Sequence, residues 1–380
     1  MSTSHHCPRQ RRRLVGFTLV ELLVVITIIG MLMALLIPAV GAVRSRARQT
    51  TCANNLRQIG VAVMNFASSK GRFPGYVQPV DQANRGWVQI QGTGMANAEF
   101  VSQDSSADSR VNSRISWAGV ILPQMERQDL WDNLRTVDST EDSSGNDARR
   151  RVIPLESYVC PDDTDAASSP ENAALTYVAN AGGWDWDRST YLLPPDRGDT
   201  ADNGLFHNLT LGKVTTKLGG NIRDGAATTL MLSENIHKNP LYCWLGVSGD
   251  QFGEQHFGMN WVVNGQPDGA STAPTNQARI SLENPRVLDV TTADSQGYPY
   301  YSRPASTHPG NGVNVIFADG HGDVLVPEIE YVVFQQLMTP NGRKCEDPVG
   351  HLDPTPTSPG DHTTIQEFRR AAPISEKDLE

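Results

Sequence analysis

The chain lacks an extended basic patch interleaved with aromatics after residue 60, and the formal net charge of its 380 residues is −10. A nucleic-acid binder carries the opposite balance on its contact face, so no nucleic-acid partner is expected. The first 16 residues hold Arg9, Arg11, Arg12 and Arg13 and no acid; taking those four positive charges from −10 leaves −14 on the remainder. Such a body repels anionic lipid and DNA alike. Cysteines are few: Cys7, Cys52, Cys160, Cys243 and Cys345, none spaced as C-x-x-C, which argues against a zinc ribbon or a thioredoxin-type centre. Absent too are a nucleophile elbow, a phosphate loop, a dinucleotide fingerprint and a repeat of fixed period.

One long apolar run is present. Phe17 to Ile37 is 21 residues with Glu21 as its only charge. At about 1.5 Å per residue, a helix of that length spans roughly the 30 Å of a bilayer's hydrocarbon. Arginines lie before it and, as Arg44, Arg46 and Arg48, after it, so charge asymmetry alone does not orient it. A secretory signal cut near "PAVGA" would have a shorter apolar region and no acid. A plain anchor would leave Glu21 unexplained, because a carboxylate at the bilayer centre is disfavoured by about 2.5–3.5 kcal/mol on insertion scales.

A third reading gives the glutamate a partner. "GFTLVELL" closely resembles the processing site of type IV prepilins and type II secretion pseudopilins. That resemblance implies cleavage by a prepilin peptidase between Gly16 and Phe17, and N-methylation of Phe17. It also implies an assembly role for Glu21, which becomes the fifth mature residue. The physics agrees with it. Cleavage exposes a positive amine on Phe17, and the Glu21 of an adjacent chain can pair with it, each cancelling a charge that lipid penalises. Repeated head to tail, the contact builds an open helical assembly.

Val40, Val43, Ala47, Leu56, Ile59, Val63 and Phe66 recur at helical spacing, so the helix is expected to continue beyond the membrane on one apolar face. Pro38 is expected to kink it, and Gly71 and Pro74 in "SSKGRFPG" to end it. Further on, an amphipathic helix is expected around Gln124–Leu134. "ESYVCPDD", "LTYVANAGG" and "TTLMLSENI" read as strand-forming segments. "HPGNGVNVIFADGHGDVLV" reads as a hairpin with Asp319-Gly320 as a two-residue turn. The abundance of Gly (33) and Pro (24) suits a loop-rich body.

That hairpin also resembles the signature of a bacterial family with prepilin-type starts and a body domain of unknown function: a His, nine residues, then Asp-Gly. Here His308, Asp319 and Gly320 match with ten residues between His308 and Asp319. "CANNLRQIG", "SWAGVILPQMERQDL", "YVCPDD", "YVANAGG", "IRDGAATTLMLSE" and "LMTPNG" fit the same family in order, so the resemblance covers about residues 14 to 345. It carries no enzymatic activity with it.

Three constellations stand out on residue type alone. His308, Asp319, His321 and Asp323 can be assembled on paper into a metal site, although Asp-Gly at a hairpin needs only its backbone conformation. Asp162, Asp163 and Asp165 in "CPDDTDAAS" offer oxygens to calcium but lack the EF-hand pattern, so a solvated acidic turn is the favoured account. Trp184, Trp186 and Tyr191 beside Asp185 and Asp187 suit either a β core or a carbohydrate surface. Disulfides among Cys52, Cys160, Cys243 and Cys345 have three connectivities open, with free buried thiols as the alternative.

The expected architecture is α+β: a long N-terminal transmembrane helix leading into a single domain with antiparallel sheet and few helices. Residues 1–16 are expected as a cleaved leader, 17–69 as the helix (in the membrane over 17–37), 70–350 as an extracytoplasmic body, and 351–380 as a disordered tail. The expected protein is a single-pass inner-membrane, non-enzymatic pilin-like subunit with its N-terminus cytoplasmic and its body periplasmic or at the cell surface. No cofactor is expected, with calcium as the exception weighed above. Expected partners are a prepilin peptidase and methylase, other pilin-like subunits, an inner-membrane assembly platform and membrane lipid. The competing expectation is a membrane-anchored carbohydrate-binding protein that uses the prepilin start only for sorting; an anchored hydrolase would need His, acid and Ser or Cys to converge.

Overall fold

The computed structural model describes residues 19–79, 87–91, 99–103, 114–135, 150–151, 153–168, 173–183, 200–209, 214–236, 244, 257–261, 304–308, 312–326, 329 and 331–345. Gly16, Phe17, Trp184, Trp186, Tyr191 and the tail from 351 lie outside them. The chain divides into two compact units, Met1–Ala47 and Arg48–Glu380.

Helix α1, Leu19–Lys70, is 52 residues long and contributes to both units. Its part in the first unit exposes Leu, Val, Ile and Met on every side, from Leu19 to Val43. All-round apolarity without burial is what lipid, rather than water, stabilises. By length and composition α1 can cross a membrane. Pro38 lies within the continuous helix. The helix stops at Gly71, whose φ of +69° is the left-handed end that glycine adopts without penalty.

In the second unit α1 is amphipathic. Cys52, Leu56, Ile59, Gly60, Ala62, Val63, Phe66 and Ala67 are buried. The expected apolar face is therefore packed only from Cys52 onward, whereas Val40, Val43 and Ala47 are exposed. Gly60 faces the sheet closely: a Cβ there would lie 3.0 Å from Ile316 Cγ2 and 3.6 Å from Met231 Cε.

The layer beneath α1 is a five-stranded sheet. Its strands are β6 (Tyr177–Gly183), β7 (Leu230–Glu234), β8 (Gly258–Trp261), β9 (Val313–Phe317) and β10 (Gly322–Leu325), in the order β10-β9-β7-β6-β8. Every pairing is antiparallel except β6 with β8. β7 and β9 are buried throughout, because both faces are covered, and such strands read as apolar runs instead of alternating. Tyr177, Ala179, Met231 and Ile316 pack in one core with α1. Val178, Leu230, Val313, Val315 and Phe317 pack in a second core with Phe334, Leu337 and Met338 of helix α5, Tyr331–Met338.

The described residues also form β1 (Val77–Pro79) paired with β4 (Arg114–Ser116), and a three-stranded sheet of β2 (Trp87–Gln91), β3 (Glu99–Gln103) and β5 (Arg150–Arg151). The layout is α+β as expected, with one parallel strand pair added.

Three local expectations change. The helix expected from Gln124 begins at Gln128, as α3, Gln128–Arg135. Before it come α2 (Trp117–Val120) and a 3-10 turn, Leu122–Met125, which Pro123 initiates and Glu126 ends in a left-handed conformation. "ESYVCPDD" is no strand. It forms a 3-10 turn, Glu156–Tyr158, and leads into the short helix α4, Thr164–Ser168. Tyr158 is held by its hydroxyl to the Ala118 carbonyl at 2.8 Å, and Pro161 has no N–H for a ladder. The β9–β10 hairpin turns in three residues, not two. The Phe317 N–H donates to the His321 carbonyl at 2.9 Å, and Gly320 sits at φ +91°, the positive-φ residue of a three-residue loop.

Candidate functional site: a buried His–carboxylate network beside a disulfide

Sheet register places the first components. Tyr177 of β6 pairs with Glu234 at the end of β7. The β7–β9 register, with Ser233 opposite Val315, continues to bring Asn314 across from Glu234. Paired residues share a face, and this face looks toward α1: the Tyr177 hydroxyl donates to the Cys52 carbonyl at 3.3 Å.

Glu234 is a fully buried carboxylate. It accepts from the Asn314 N–H at 3.1 Å and from Asn314 Nδ2 at 2.9 Å. Its remaining partner is His308, whose Nε2 lies 3.0 Å from both carboxylate oxygens. His308 precedes β9 and is steadied by Ser306, whose Oγ accepts from the His308 N–H at 3.4 Å and donates to the Gly312 carbonyl at 2.7 Å.

The other ring nitrogen of His308, Nδ1, lies 2.7 Å from Asp162 Oδ2. Arg48 Nε donates to the second oxygen of Asp162. Thr307 Oγ1 donates to the Asp162 carbonyl at 3.1 Å, joining the two loops. The side chains of His308, Glu234 and Asp162 are 0%, 1% and 5% exposed, whereas Arg48 is 47% exposed and forms the rim. With His308 protonated, two cations face two anions. That balance is what allows His308, Glu234 and Asp162 to be charged out of water, with Arg48 half in solvent at the rim.

Burial pushes the His308 pKa down, but the hydrogen bond and charge of Glu234, and then those of Asp162, outweigh it and hold the imidazole above its usual value. The Tyr177 phenol is driven well above its ordinary range, chiefly by burial and secondly by the Glu234 charge.

Directly beside this network, Cys52 of α1 is bonded to Cys160, 108 residues away in sequence. Cys160 Sγ lies 3.9 Å from His308 Nε2. Cys345 is a buried thiol outside that disulfide, donating to the Gly342 carbonyl at 3.0 Å, and Cys7 and Cys243 lie outside the described residues.

The metal constellation expected at 308–323 is not brought together. His308 is committed to the buried network, while Asp319 Oδ1 and His321 Nδ1 pair with each other at 2.6 Å on the exposed hairpin turn. The His321 ring also stacks on Phe317 at 4.3 Å. The interval between His308 and Asp319 is occupied by the lead-in and length of β9. The acidic run is likewise split: Asp162 belongs to the network, whereas Asp163 caps α4, accepting from the Ala166 N–H at 3.2 Å. Asp165 lies within α4, and its side chain falls outside the described residues.

The sequence does not mark Arg48, Glu234 and Asn314 as site residues, and it marks Cys52 only as one of four disulfide candidates. Their signal was faint. Glu234 is an acid at the end of an apolar run, and Arg48 is one of three arginines in a row of alternate positions.

Residues 41–331 match the family described as "protein of unknown function (DUF1559)". The chain belongs to the DUF1559 family. The amino-terminal region of this DUF1559 protein is similar to the type IV major pilin protein PilA of Myxococcus xanthus (strain DK1622), at 35% identity over 80 residues. That match covers 21% of this chain and 34% of the pilin, so the chain spans about a third of the pilin's length. No solved structure matches. Among the described residues one helix, near the amino terminus, is long and apolar enough to cross a membrane; with the similarity to a pilin it fits a single-pass membrane protein with a pilin-like start.

Proposed function

We propose that this DUF1559 protein is a prepilin-like structural subunit, cut by a prepilin peptidase between Gly16 and Phe17, methylated at Phe17, and assembled from the inner membrane into a pilus-like or type II secretion-like filament. The observation that carries this reading is the similarity to a type IV pilin at the start of a chain whose apolar helix holds a single acid, Glu21. On this reading the chain undergoes chemistry and performs none. Both ring nitrogens of His308 face carboxylates, which leaves neither to take a proton from a hydroxyl nucleophile.

The construction of the body supports it. From Cys52 to Ala67 one face of α1 belongs to the core of the second unit, and the helix is tied to it covalently by Cys52–Cys160 and by charge through Arg48 and Asp162. A subunit held in a filament by its helix needs such a tie, because any load on the body passes through that packing. The disulfide also favours a body outside the cytoplasm, where such bonds persist, with the arginine-rich leader inside.

Mass spectrometry of the mature amino terminus from native membranes tests the processing step. A methylated phenylalanine is expected. A retained leader, or a start near Ala42, would overturn the proposal. The partners that follow from it are the peptidase, the assembly platform and further pilin-like subunits.

A further inference from the structure

The network and the disulfide share one property that neither needs for stability. One ligand atom from each of Cys52, Cys160, Glu234 and His308 lies within 4.8 Å of all the others, and all four residues are buried. Two sulfurs, an imidazole nitrogen and a carboxylate oxygen are a donor set that suits zinc, which binds at roughly 2.0–2.3 Å in a tetrahedron. Tetrahedral geometry at those bond lengths separates ligand atoms by roughly 3.3–3.8 Å, so Glu234 and His308 need only small shifts. The sulfurs must part, which breaking their bond permits by rotation of each about its own Cα–Cβ bond.

The second observation concerns orientation. A metal-binding histidine usually donates its non-ligating N–H to a carboxylate, which fixes the tautomer and aims the ring. Here Nδ1 is held by Asp162 at 2.7 Å, and Asp162 is itself held by Arg48. Nε2 points at the Glu234 carboxylate, with Cys160 Sγ 3.9 Å away. The supporting shell of a zinc ligand is already assembled around a disulfide.

We infer that Cys52, Cys160, His308 and Glu234 form a redox-gated zinc site, in which the two sulfurs serve either as a covalent staple or as metal ligands. The balance is simple. A dithiol reductant passes two electrons to the Cys52–Cys160 bond and is itself oxidised to a disulfide, leaving two thiols. Zn2+ then binds as the two thiol protons and the Nε2 proton pass to solvent, while the Nδ1 proton stays on His308 facing Asp162. Oxidation of the thiolates by a disulfide acceptor expels the metal and restores the staple. Asp162 is a positioning residue in this scheme. The inference holds whether or not the chain is a filament subunit.

The test uses the full chain purified in detergent, with Cys7, Cys243 and Cys345 replaced by alanine so that only two thiols remain. The protein is reduced with a phosphine under argon and titrated with Co2+, whose thiolate charge-transfer and tetrahedral ligand-field bands report the donor set. Zn2+ competition then gives the affinity. Reduced protein is expected to take up one equivalent with sulfur charge transfer, and oxidised protein none. His308→Gln and Glu234→Gln should lose the tetrahedral spectrum, and Asp162→Asn should bind about 10–100-fold more weakly. Near-ultraviolet circular dichroism follows folding in every sample. No uptake by reduced, folded protein would overturn the inference. So would uptake unchanged in His308→Gln and Glu234→Gln, which marks an adventitious ion only, and so would binding seen only after the reduced chain has unfolded.

Discussion

His308 Nδ1 lies 2.7 Å from Asp162 Oδ2, although 146 residues separate them in sequence. Around that contact, α1, the loop after Tyr158, the end of β7 and the lead-in to β9 converge on one buried set of charges. Its behaviour can be measured.

The first prediction concerns pH. His308 is held above its usual pKa by Glu234 and Asp162 against the opposing effect of burial. A raised value means that the stabilisation is complete below the unfolded-state pKa of about 6.5 and is lost as pH rises through the higher folded value. The charged groups facing the ring are Glu234, Asp162 and, through Asp162, Arg48. His308→Gln should cost about 3–5 kcal/mol, the usual cost of stripping a partner from buried charges. The gap in unfolding midpoint between oxidised native protein and variant should be widest at mildly acid pH and shrink at alkaline pH. A gap independent of pH would show that the imidazole is not charged.

Reduction without metal is the second. Closing a loop with a separation of 108 residues restricts the unfolded chain, and loss of such a bond costs about 2–5 kcal/mol. Cys52→Ser and Cys160→Ser should therefore lower denaturant midpoints by similar amounts, and the double variant should be no worse than either alone. Additive losses would mean that each sulfur acts independently.

Helix-to-sheet spacing supplies the third. A Cβ on Gly60 would already sit 3.0 Å from Ile316, so Gly60→Leu must push α1 off β9. Overpacking of this kind costs about 1–3 kcal/mol. Ile316→Ala combined with Gly60→Leu should recover part of it. Chemical denaturation of the four proteins in that cycle measures the coupling.

Assembly is the fourth. Glu21→Ala should leave cleavage at Gly16–Phe17 intact and reduce incorporation into filaments, scored by shear fractions and immunoblot. Normal incorporation would contradict pairing between Glu21 and the Phe17 amine of a neighbouring subunit.

Some of this was legible in the residues themselves. An apolar run of membrane-spanning length with one acid, helical spacing from Leu56 to Phe66, the stop at Gly71 and the strands at 177–183 and 230–234 are local patterns. Local propensity and periodicity decide such elements, and no distant contact was needed to read them. The hairpin was legible as a hairpin, but its loop length depended on where Gly320 falls in the register.

The site was not legible. Asp162 sits in an acidic run and His308 beside a turn motif, and each looked more at home with its sequence neighbours than with the other. Which cysteine meets Cys52, which acid meets His308, and whether Glu234 is buried follow from how α1 lies on β7 and β9. That placement rests on shape: Gly60 admits Ile316, and the covered sheet face then carries Tyr177, Glu234 and Asn314 toward Cys52. Composition and spacing determined what elements this chain makes and that one of them suits a membrane. Only close packing, which acts between residues far apart in sequence, decided which charges and sulfurs share the interior.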